Sequence, residues 1–175
     1  VTAIDLMVAT HVDRAHVTGL LPVAESSRIE IRNFWGPSSE SNKPSPPGLH
    51  TADERAYQRL YAAITKRLRP EQVLSPTAGM VLPTLFEGCT LTVLNPSRPN
   101  VLRPSASPPE RSPAELAVEQ NEQSLVLHLE CHRIRMLLTG DVEGPFWAHV
   151  IATPELHRYL ELDVLKVPNY GHRSG

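Results

Sequence analysis

Near the start of the sequence, His11, Asp13 and His16 set two imidazoles and a carboxylate within a single short stretch. Neutral imidazole and carboxylate suit a Zn²⁺-class cation, so the cluster is a candidate metal site. A second carboxylate, Asp141, closes the run LLTGD, where small neighbours leave it accessible. A third polar cluster, residues 169–172, brings Asn169 and His172. The chemistry open to such a set, read from residue type alone, is the holding of a cation. The plain alternative is that each cluster is only the polar loop that follows a strand.

The elements that must position these side chains are legible around them. Residues 4–9 (IDLMVA) form a short apolar run, as for a strand buried on both faces, and residues 162–167 (LDVLKV) read the same way. Residues 28–34 alternate apolar and charged side chains, the pattern of a half-exposed strand. Residues 72–74 and 90–94 also read as strands. Residues 124–129 and 133–138 read as a hairpin turning through Glu130, Cys131 and His132, with His128 facing away from the core. Polar residues just past the C-terminal ends of strands are where α/β folds place their chemistry. If these strands share one sheet system, the three clusters converge on one edge.

The clearest helix spans residues 51–69. Thr51 and Glu54 make a capping-box pair, and Tyr57, Leu60, Tyr61, Ile64 and Leu68 give one apolar face. Lys66, Arg67 and Arg69 suit the negative end of its dipole, and Pro70 stops it. A short helix over residues 144–152 starts with Pro145 in its first turn.

Composition bounds the function. At 175 residues with 41% hydrophobic and 21% charged side chains, the chain belongs with globular domains rather than disordered segments. A net charge of −2 provides no global basic field, although a local basic groove for nucleic acid stays open. No apolar run nears the roughly 20 residues of a membrane span, and the N-terminus has no signal-peptide pattern, so no anchor is expected. Cys89 and Cys131 read as two reduced, buried thiols, which points to a cytoplasmic setting. The 17 prolines concentrate in two Pro/Ser-rich stretches, at about 36–49 and 95–113, read as exposed insertions.

Four blocks together carry a family resemblance. IDLMVATHVDRAHVTGLL (residues 4–21) resembles the strand and loop of the metallo-β-lactamase superfamily, closest to the C-terminal domain of ComEC-type DNA-uptake proteins. That branch shows T-H-x-D-x-D-H-x-G-G-L, N-x-x-S-L-V-L, L-L-T-G-D and L-K-V-P-H-H-G-S in order. Here the later blocks read NEQSLVL (121–127), LLTGD (137–141) and LKVPNYGH (165–172). The resemblance implies an α/β fold, an αββα sandwich filling residues 1–175 and incomplete at both ends. It also implies Zn²⁺ or Mn²⁺, with His11 and Asp13 holding one ion, His16 the other, and Asp141 bridging them. The activity implied is hydrolysis of phosphodiesters in nucleic acid or nucleotides by a metal-activated water, with Asp13 and Asp141 as the catalytic carboxylates. Family members carry further strands before the first block and continue past the fourth, so a larger chain or complex is expected.

The departures fall mainly on one ion. Ala15 replaces an aspartate, Asn169 and Tyr170 replace a His-His pair, and Thr18 replaces a glycine. One ion, two, or none is therefore the expectation. Three readings stand side by side: a non-catalytic scaffold serving a binding or regulatory role, a site keeping one ion with His172 as substitute ligand, or an active enzyme disabled by substitution at position 15. Arg14, Lys166 and Arg173, beside the blocks, could contact an anionic substrate or be ordinary loop cations.

Overall fold

The computed structural model describes residues 2–39, 52–82, 87–97, 101–102, 118 and 120–171. The Thr51 cap, His172, Arg173 and most of the two Pro/Ser-rich stretches lie outside the described residues. The fold is mixed α/β, and the chain divides into two compact units: residues 1–75 with 99–112, and residues 76–98 with 113–175.

In the first unit, β1 (Ala3–Ile4) pairs in parallel with β3 (Glu30–Ile31). Strands β2 (Met7–Val8), β4 (Phe34–Trp35) and β6 (Val73–Leu74) form a parallel sheet in that order. β5 (Ser38–Ser39) pairs with β9 (Val101–Leu102). The stretches expected to be single strands, 4–9 and 28–34, are each split in two. Side chains of the second stretch engage the bend in the first: Arg32 Nη1 reaches Asp5 Oδ1 at 2.5 Å, and Asn33 Nδ2 donates to the Asp5 carbonyl at 2.9 Å. Period-two patterning does not reveal such a bend.

Helix α1 (Arg14–Val17) and helix α2 (Leu21–Glu25) precede the main helix, α3 (Ala52–Thr65). The apolar face of α3 is the one its periodicity predicts: Tyr57, Leu60 and Ile64 are fully buried, packed with Met7, Val17 and Phe34. Tyr57 donates its hydroxyl proton to the Pro37 carbonyl, and burial raises its pKa well above the usual phenol value. The helix stops at Thr65, before the expected Arg69, and Arg67 does something other than balance the dipole. Its guanidinium donates to the carbonyls of Ala24 (2.7 Å), Ser26 (2.9 Å) and Ile29, fastening the chain after α2 to the end of α3. Trp35, left open by the sequence, is a core residue with 1% exposure.

In the second unit, five strands pair in the order β12 (Val164–Lys166), β11 (Ile134–Leu138), β10 (Val126–Cys131), β8 (Cys89–Asn95) and β7 (Val81–Leu82). The expected hairpin is present, but its turn is His132–Arg133. Glu130 and Cys131 stay in the ladder opposite Arg135 and Ile134. His132 takes a positive φ of 56°, which shortens the turn. Helix α4 (Gly144–Ala152) lays Phe146 and Val150 on Val126 and Leu137.

Three expectations are corrected in this unit. Cys89 and Cys131 are not reduced thiols: the β8–β10 register sets them opposite each other, and they are joined as a disulfide. The reducing compartment inferred from free thiols loses its ground. His128 does not face away from the core; it lies beside Leu137 and is 4% exposed. Finally, β12 is not buried on both faces, because it is an edge strand with Val164 and Leu165 nearly half exposed. No described helix is long and apolar enough to cross a membrane.

Candidate metal centre

In the first unit the site is built at the end of β2. Ala9 donates its N–H to the Trp35 carbonyl at 2.8 Å, and the chain then turns through residues 10–12 into α1. Asp13 is the N-cap of that single helical turn, and its Oδ1 accepts the Ala15 N–H at 2.5 Å. Arg14 N–H donates to Asp53 Oδ1 at 3.1 Å, tying α1 to α3. This local fold brings two predicted ligands together: the His11 and His16 rings lie 4.5 Å apart between centroids, tilted by 53°.

His11 is 1% exposed, and its Nδ1 lies 2.9 Å from the Thr10 hydroxyl. Such a hydrogen bond fixes the ring and directs the opposite nitrogen, as the partners of metal-bound histidines do. Asp13 commits one carboxylate oxygen to the α1 backbone, so its structural task is explicit. Ala15 is exposed on the same turn.

In the second unit, β11 runs through Thr139 and Gly140 to Asp141. Gly140 turns with a φ of 55°, a left-handed conformation that costs a glycine nothing. Asp141 is 3% exposed; its N–H donates to Ser124 Oγ at 3.1 Å. Lys166, on β12, reaches the Gly140 carbonyl at 2.6 Å and Asp141 Oδ1 at 3.3 Å through its ammonium. The Thr139 hydroxyl donates to the Lys166 carbonyl at 2.7 Å and locks the two strand ends together.

Just beyond β12, Asn169 (φ 45°, ψ 45°) and Tyr170 (φ 52°, ψ 21°) both take left-handed backbone conformations. Two such residues in succession without glycine are uncommon. Tyr170 is 74% exposed, with the Lys166 ammonium 5.9 Å from its ring centroid.

The predicted residues thus fall into two sets. His11, Asp13 and His16 share one strand end in the first unit, Asp141 ends a strand in the second, and His172 lies outside the described residues. The close imidazole pair, with one ring oriented, fits a borderline cation. Sequence reasoning did not single out Thr10, Ser124 or Thr139. Each stands inside a motif block, and Thr10 and Thr139 lie within two residues of a candidate ligand, which was the available signal; the block of Ser124 holds no candidate ligand. No family model matches the chain, and no curated protein matches it.

Proposed function

We propose that the chain is a metallo-β-lactamase-type hydrolase domain, with an αββα sandwich, that cleaves phosphodiesters of nucleic acid or nucleotides. The observation that carries the reading is the close His11–His16 imidazole pair, with Thr10 on the His11 ring. The four-block resemblance names Asp13, Asp141 and His172 as further candidate ligands. When bound, a Zn²⁺ or Mn²⁺ ion would supply a Lewis acid for the phosphoryl oxygens and a more acidic water.

The chain's own residues do the positioning. Thr10 orients His11, and the Asp13 cap holds the turn that carries His16. Ser124 and Lys166 hold Asp141. The test is cleavage of bis(p-nitrophenyl) phosphate and single-stranded DNA by the full chain with added Zn²⁺ or Mn²⁺, beside His11→Ala and His16→Ala. The reading expects metal-dependent cleavage lost in both variants. It fails if fewer than about 0.2 ions bind per chain and no cleavage occurs.

A second reading, a non-catalytic module serving a binding role in a larger assembly, is favoured by Ala15 and Asn169, which remove ligands in two separate blocks. Activity that appears only in the double variant Ala15→Asp, Asn169→His would show that the present chain is a disabled enzyme.

A further inference from the structure

We infer that Pro154–Leu160 is an acid-released strap, held against β10 by the neutral ring of His128. Protonation of that ring detaches the strap while the sheet stays intact. The inference stands apart from the metal-site reading and lies wholly within the second unit. The strap is a 3₁₀ helix that leads from α4 towards β12.

It meets β10 through Tyr159, whose ring stands at 65° to that of His128 with centroids 5.0 Å apart. Arg158 lies over the same tyrosine, 4.7 Å from the ring centroid, and donates to its hydroxyl at 2.7 Å. The contact that covers the imidazole thus brings a guanidinium with it. At its ends the strap is tied by other means. His157 Nε2 donates to the Ile151 carbonyl at 2.9 Å, and past the strap Arg135 Nη1 reaches Glu161 Oε2 at 2.8 Å.

His128 is 4% exposed, and its Nε2 has no hydrogen-bond partner among the described residues. Protonation makes both ring nitrogens donors and places a charge where Nε2 finds no acceptor. Its charged surroundings are divided: Glu130 on β10 favours the cation, while Arg135 on β11 and Arg158 on the strap oppose it. Leu137 and Thr92, its neighbours across the ladder, carry no charge. Burial, helped by the two guanidinium groups, lowers the pKa of the ring.

A buried imidazolium reaches water by parting the sheet or by shedding what covers it. β10 is paired with both β8 and β11, and Val126 and Leu127 on it are buried. No residue of the strap is fully buried, so releasing it exposes less apolar surface than separating the strands. Release also carries the Arg158 charge away from the new cation. His157 is exposed, and its Nε2 proton serves the Ile151 carbonyl in either charge state, so its titration leaves that tie in place.

The experiment is amide hydrogen exchange of the full chain by mass spectrometry at pH 7.5 and 5.5, corrected for intrinsic rates. Residues 154–160 are compared with β8 and β10 in wild type, in His128→Phe and in the double variant His149→Gln, His157→Gln. A ring with a pKa of about 6.5 once exposed changes the opening constant of the strap by at most about tenfold over that interval. Wild type and the double variant should lose about threefold to tenfold of strap protection at pH 5.5, with β8 and β10 unchanged. His128→Phe should lose none. No loss in wild type, an equal loss in His128→Phe, a loss abolished in the double variant, or strap and sheet opening together overturns the inference. If His128→Phe does not fold, NMR titration of the His128 ring in wild type takes its place. A midpoint below about 6.5 supports the strap, and one at or above it overturns it.

Discussion

His128 and Tyr159 meet edge-on in the second unit, with ring centroids 5.0 Å apart. The histidine is 4% exposed, and its Nε2 has no hydrogen-bond partner among the described residues. Burial lowers its pKa below the ordinary imidazole value; the charges of Arg135 and Arg158 act in the same direction and Glu130 opposes them. The neutral ring is thus the form the fold accepts. Its contribution is complete above the unfolded pKa of about 6.5 and is lost as pH falls through the folded value. Urea midpoints should drop for wild type between pH 7.5 and 5.5, and drop less for His128→Phe. Equal pH dependence in the two proteins would clear His128 of this role.

Thr10 gives a second prediction, which rests on the proposed metal site. Replacing it with Val keeps the shape but deletes the contact to His11 Nδ1. Zinc affinity should fall about 10- to 100-fold with little change in stability. Calorimetric titration beside a thermal melt separates the two effects, and undiminished affinity counts against His11 as a ligand.

Arg67 is testable without any metal. Its planar guanidinium serves the carbonyls of Ala24, in α2, and of Ser26 and Ile29, between α2 and β3. Arg67→Ala should destabilise the chain by about 2 kcal/mol, because those acceptors lose a charged donor. Lys at 67 should recover only part of that, since an ammonium lacks the fork. Urea unfolding of the three proteins at one pH decides it.

The Cys89–Cys131 disulfide closes a loop of sequence separation 42. Constraint of the unfolded chain by a loop of that length is worth about 4 kcal/mol on the chain-entropy model. Thermal melts with and without a phosphine reductant should differ by several degrees, and Cys89→Ser, Cys131→Ala should melt like the reduced protein. Alkylation of two thiols under native, non-reducing conditions would contradict the pairing.

What the sequence made readable was local. The apolar face of α3, the β10–β11 hairpin and Pro145 in the first turn of α4 all follow from spacing within a dozen or so residues. What it hid depends on partners far along the chain. The opposition of Cys89 and Cys131 needs the β8–β10 register, and the burial of His128 needs the elements laid over β10. The exposure of β12 follows from its place at a sheet edge, which its apolar composition conceals. In the candidate site, the imidazoles were evident from residue type. The cap that consumes an oxygen of Asp13 and the ammonium on Asp141 were not, because each depends on how a turn closes.

The two units are not successive lengths of chain. The polypeptide leaves the first after residue 75, returns for residues 99–112, where β9 pairs with β5, and leaves again. Neither unit could be copied, swapped or excised as one uninterrupted segment of a gene. A cut near residue 75 would strand β5 without its neighbour β9.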